Sequence, residues 1–129
     1  MLKEQKNSRK QGDIGLGKAI SYFTLIGATV CIPLTDNQEY DLIVDLNNEL
    51  QKVQVKTTYF KKKSNNYAAN LKISGGNRSR TKDILFDNSK VDIIFILTEE
   101  NTMYLIPAKE IKNTTQITLY EQYNKYIIK

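Results

Sequence analysis

Two strand-like runs joined by a pair of asparagines limit the folds open to this chain. Residues 40–46 and 50–58 are rich in apolar and β-branched side chains, and Asn47-Asn48 stands between them. Asparagine tolerates positive φ, so the pair can form the two-residue turn whose twist matches its flanking strands. Such a turn sets the register, placing Asp41 across from Gln54 and Glu39 across from Lys56. Side chains alternate along a strand, and directly opposed residues share a face. Asp41, Gln54 and Lys56 are therefore expected on one side of the ribbon. Asp45 shares that face but falls opposite Leu50, too far along to join Gln54.

Around this hairpin the chain reads as mixed α/β. A helix is expected from near Gly12-Asp13, with Ile14, Ala19, Ile20, Phe23 and Ile26 roughly on one face. Asp13 is its expected N-cap or first-turn acid, and Gly27 its stop. Gly12, Gly15 and Gly17 are read as close packing of the helix start against the sheet. Strands are expected over residues 28–34, 67–74, 91–97, 102–106 and 116–119, with a turn at 99–101. The nearly continuous apolar run 91–97 suits a sheet centre covered on both faces. Residues 79–88 read as a short helix or an ordered loop, 107–111 as a helical turn, and the tail as a closing helical segment. Residues 1–10 are polar and expected to be frayed and flexible. With no repeat or linker, residues 1–129 are expected to form a single domain around one sheet.

Composition narrows the chemistry. The chain has no histidine and one cysteine, which removes Ser/His/Asp and Cys/His catalysis and the usual zinc sites. Hydrolysis would have to rest on carboxylates, lysine, backbone groups and an oxygen-preferring metal. Cys31 lies in an apolar run and is expected to be a buried thiol, as in a reducing cytoplasm. No stretch approaches the ~20 apolar residues of a membrane span, and cytoplasmic localisation is expected. The formal charge is +5. Basic residues cluster at 3–10, at Lys61-Lys62-Lys63, and at Arg78, Arg80 and Lys82. The last two groups, set among Ser, Asn and Gly, are expected to contact a phosphate backbone.

A carboxylate oxygen and an amide carbonyl are hard ligands suited to Mg²⁺, and a nearby lysine can position or deprotonate water. Asp41 and Gln54 are thus candidate metal ligands, with Lys56 as the catalytic cation. The same three positions also read as the exposed face of a half-buried hairpin, with Lys56 and Glu39 as a simple cross-strand pair.

Several segments together resemble the PD-(D/E)XK endonucleases associated with group I introns. They are Gly12-Asp13-Ile14-Gly15, Ile32-Pro33-Leu34-Thr35-Asp36-Asn37, Tyr40-Asp41-Leu42-Ile43-Val44-Asp45, Val53-Gln54-Val55-Lys56-Thr57, Val91-Asp92-Ile93-Ile94-Phe95 and Tyr104-Leu105-Ile106-Pro107. The resemblance implies a restriction-endonuclease-like core, a central mixed β-sheet flanked by helices. It implies Mg²⁺-dependent cleavage of double-stranded DNA, with Mn²⁺ as substitute, by a homodimer or homotetramer of homing type. Asp41 matches the metal-binding aspartate, Gln54 the place usually held by Asp or Glu, and Lys56 the motif lysine. A resolvase acting on branched DNA, or a DNA-binding module without catalysis, would share the core. The departure lies at Leu16, where many relatives carry a glutamate; Asp13 is the nearest alternative acid.

Overall fold

The Asn47-Asn48 turn forms with both residues at positive φ, 55° and 64°. It joins β2 (Leu42–Leu46) to β3 (Glu49–Thr58), with Leu46 opposite Glu49 and Leu42 opposite Val53. This is the register that the turn demands. The computed structural model describes residues 2–73 and 84–128. A six-stranded sheet runs in the order β1 (Thr29–Cys31), β2, β3, β5 (Ile93–Thr98), β6 (Met103–Pro107), β8 (Ile127–Ile128). Only β3 and β5 pair in parallel, so the sheet is mixed. A second sheet pairs β4 (Ala68–Asn70) with β7 (Gln116–Thr118).

Apolar alternation distributes the core over both faces. On β5, Phe95 and Leu97 join Val53, Leu42 and Val44 beneath α1 (Ser8–Leu25). Ile94 and Ile96 face the other way, packing with Leu71, Ile106, Ile111 and Ile117. All four β5 side chains are fully buried, as the unbroken apolar run requires. The second face is covered by the β4–β7 sheet and 3₁₀ turns at Ala108–Glu110 and Glu121–Tyr126, not by a second described α-helix.

The N-terminal expectations change most. The helix starts at Ser8, because the Asn7 side chain accepts from the backbone N–H groups of Arg9 (3.0 Å) and Lys10 (3.2 Å). That arrangement satisfies donors the helix cannot pair internally. Asp13 is therefore within the helix and is not its cap. Leu2, in the stretch expected to be frayed, is buried in the α1-side core. Gly27, at φ 92°, ends the helix as expected. Cys31 is exposed, a correction to the buried thiol: it alternates with Val30, which packs against the α1-side cluster, and so points to the other face of β1. The closing segment also adds an unforeseen strand, β8, against β6.

Of the three helix glycines, only Gly15 packs closely. A Cβ there would lie 2.4 Å from Thr57 Cγ2 and 3.4 Å from Val55 Cγ1, whereas Gly12 and Gly17 meet nothing within 4 Å. Gly15 thus lets α1 sit directly on β3, on the side opposite Gln54 and Lys56. Two outcomes follow for thermal unfolding. Gly15→Ala should destabilise by about 1–3 kcal/mol, since a β-branched neighbour has little room to yield. Gly17→Ala should stabilise by about 0.5–1 kcal/mol through helix propensity; a matching gain in Gly15→Ala would refute the close contact. Native-state thiol labelling should modify Cys31 at once, and protection until unfolding would contradict its exposed position.

Candidate active site

The β2–β3 ladder ends at Leu42, and the site begins there. The Asp41 N–H donates to the Val53 carbonyl (2.8 Å), although Leu42 already pairs with Val53. Two residues facing one is the arrangement of a β-bulge, which bends a strand and re-aims its side chains. The strict register would set Asp41 across from Gln54 and Glu39 across from Lys56. The bulge replaces that pairing, so Glu39 has no place opposite Lys56 in the ladder.

The same bend directs the Asp41 carboxylate along the edge of β3. Its Oδ2 accepts from the Val55 N–H at 2.7 Å and from Gln54 Nε2 at 3.3 Å. The side chain takes up a backbone donor that β2, having ended, does not reach. Gln54 is 7 % exposed, and its Oε1 is buried without a hydrogen-bond partner. An unpaired buried carbonyl of this kind costs about 1–3 kcal/mol. Its amide is oriented by the Nε2 bond to Asp41, so a buried free acceptor stands beside a buried carboxylate.

Lys56, two residues along the strand, shares the Gln54 face. Its Nζ donates to the Lys72 carbonyl at 3.0 Å. Sequence reading could not identify Lys72, because a backbone carbonyl carries no residue signature. Burial raises the Asp41 carboxyl above the ordinary carboxylate value, against the opposing pull of the Val55 N–H, the Lys56 charge and the Gln54 amide. Burial likewise lowers the Lys56 ammonium, with the Asp41 charge working to restore it. Each charge is desolvated more than its partner compensates.

The structure therefore brings Asp41, Gln54 and Lys56 together and leaves Asp13 outside the group. Asp13 is exposed, two residues from Gly15, and so on the opposite side of α1 from the glycine that touches β3. Leu16 packs against the apolar cluster beneath the helix. Among the described residues no group of three or more acidic or thiol side chains is placed to hold a metal ion. The available donors are one carboxylate and one amide oxygen, hard ligands suited to an oxygen-preferring divalent cation that retains most of its water.

The basic positions separate by structure. Lys61 is engaged, with its Nζ 3.1 Å from Glu100 Oε1 and 4.9 Å from the centre of the Tyr67 ring. Lys62 is half-buried and Lys63 exposed. Arg78, Arg80 and Lys82 lie outside the described residues.

A comparison with curated proteins gives no match. Among solved structures, the chain is similar to the bacterial homing endonuclease I-Ssp6803I, with 29% identity and a TM-score of 0.74 over 89% of this chain and 79% of that one. A family model described as PD-(D/E)XK endonuclease matches residues 6–126, which include the bulge, Gln54 and Lys56. The chain belongs to the PD-(D/E)XK endonuclease family.

Proposed function

We propose that this nuclease hydrolyses phosphodiester bonds in double-stranded DNA with a divalent cation, Mg²⁺ or Mn²⁺, held by Asp41 and Gln54. The observation carrying this reading is the buried, unpartnered Gln54 Oε1 beside the Asp41 carboxylate. When bound, the cation supplies positive charge to the phosphoryl oxygens and lowers the pKa of the attacking water. Asp41 anchors it from a carboxylate already fixed by two N–H donors, so its orientation is set in advance. Lys56, held by the Lys72 carbonyl, accepts a proton from the water or offsets charge developing on phosphate. Burial makes the Lys56 ammonium easier to deprotonate than a lysine in water, and the Asp41 charge works against this.

The likeness to a homing endonuclease supports a homing-type activity for this chain. One core cuts one strand, so double-strand cleavage calls for a homodimer or homotetramer presenting two sites. Lys62 and Lys63, with Arg78, Arg80 and Lys82, are assigned to backbone phosphates. A second reading, a DNA-binding module without catalysis, is favoured by the single carboxylate and by apolar Leu16 at the family's glutamate position. Calorimetry decides between them: the nuclease takes up Mn²⁺, while the module binds DNA without it.

On supercoiled plasmid with Mg²⁺, wild type should nick, and Asp41→Ala and Lys56→Ala should each lose about 100-fold or more in rate. Undiminished nicking by both variants would overturn the site assignment. The site also has a stability signature. A carboxyl whose folded pKa is raised destabilises the fold once ionised, and this cost disappears as pH falls through the raised value toward the ordinary one. Without metal at pH 7, Asp41→Asn should therefore match or exceed wild type in melting temperature. The gap should close on acidification; a variant melting well below wild type at pH 7 contradicts this.

A further inference from the structure

The chain leaving β3 beyond Lys56 continues as a narrow hairpin that the chemistry at Asp41 does not use. Thr58 Oγ1 donates to the Ala68 carbonyl at 2.5 Å, and the Ala68 N–H donates to the Phe60 carbonyl at 3.0 Å. Lys61 then bridges to Tyr67, and the Lys62 N–H donates to the Asn66 carbonyl at 2.9 Å. At the tip, the Asn65 N–H returns to the Lys62 carbonyl at 2.9 Å with Asn65 at φ 68°. The Asn66 side chain closes on Ser64. Lys61 braces one side of the base against Glu100 and Tyr67. The returning strand leads to Lys72, whose carbonyl receives Lys56 Nζ. Both limbs of the hairpin therefore end at the candidate catalytic lysine.

The side chains at the tip are placed differently. Lys63, Ser64 and Asn65 are exposed, and among the described residues Lys63 and Asn65 have no side-chain partner. Lys63 thus stands beyond the last bridge as an unpaired cation, and Asn65 is exposed at the rim of a cleft it shares with Tyr67, Glu100, Glu121 and Asn124. A two-stranded ribbon fits the major groove of B-DNA, and an asparagine amide can pair with both the N6 and N7 positions of adenine. We propose that the residue 61–67 hairpin is a sequence-reading arm that enters the major groove, with Asn65 addressing base edges and Lys62 and Lys63 contacting the flanking phosphates. This rests on the nuclease reading and extends it to target selection. Lys61 is committed to bracing the arm. From Lys56 to Lys63 the chain spans roughly 23 Å at ~3.3 Å per residue. The base that is read therefore lies within about seven base pairs of the cut, at ~3.4 Å per step.

The test uses the full chain and a pool of synthetic duplexes with a randomised centre. Bound duplexes are sequenced, and with Mg²⁺ present the cleaved ends are sequenced in parallel. Asn65→Gly removes the amide while keeping the backbone conformation accessible, because glycine adopts positive φ freely. In the variant, the base preference at one or two adjacent positions should fall by about 10-fold, with other positions unchanged. Lys63→Ala should instead weaken binding to all sequences alike and reduce its salt dependence. An intact base profile in Asn65→Gly, including one with uniformly weaker binding, overturns the arm and leaves the nuclease reading standing. Bound but uncut DNA with wild type overturns the nuclease reading, while the bound profile still decides the arm. If wild type neither binds nor cuts, both fall together.

Discussion

The contact on which the site depends is the 2.7 Å hydrogen bond from the Val55 N–H to Asp41. A strand that stops leaves its neighbour with an unpaired donor, and a buried donor must find a partner. Here the partner is a carboxylate, brought round by the bulge opposite Val53. The bond completes the β3 edge and seats Asp41 against the Gln54 amide. Strand continuity and the candidate metal ligand set are thus joined through one side chain.

This economy has an electrostatic cost. Asp41 and Lys56 are held where burial disfavours both charges, and Gln54 Oε1 is left without a donor. A fold selected only for stability would place apolar groups here, since well-packed replacements for buried ionic pairs are often neutral or stabilising. These three groups share one location: a cation with its water shell would relieve Asp41 and Gln54 Oε1, and a phosphate would relieve Lys56. Such a concentration of desolvated groups supports the metal-binding role proposed for Asp41 and Gln54.

Elsewhere the structure makes the site rigid. Gly15 allows α1 to lie directly on Val55 and Thr57, so the strand carrying Gln54 and Lys56 is backed by a helix at close range. β5 is buried on both faces and supports β3 from its other edge. A candidate catalytic lysine on a central strand is positioned more tightly than one on a loop. The same strand then continues into the 61–67 hairpin, so the candidate catalytic lysine and the proposed DNA-reading arm share one length of backbone.

The hairpin and much of the sheet were legible in the residues alone, because these follow from local rules. Two asparagines able to adopt positive φ set the β2–β3 register, and alternation along β3 put Gln54 and Lys56 on one face. The unbroken apolar run around Ile93–Thr98 required a strand covered on both sides. Features that depend on distant partners emerged only in the folded chain. The ladder stops at Leu42 and bulges at Asp41, so the carboxylate reaches Val55 as well as Gln54, which no pairing rule anticipates. Asn7 rather than Asp13 caps the helix, because capping rewards a side chain at the actual first turn, and the apolar pattern alone leaves that boundary loose. Cys31 is exposed because it lies on the face of β1 opposite Val30, which packs under α1, and Lys56 is held by a backbone carbonyl at position 72. Local patterns specify which residues share a face, while long-range packing decides where a strand ends and what lies beyond it.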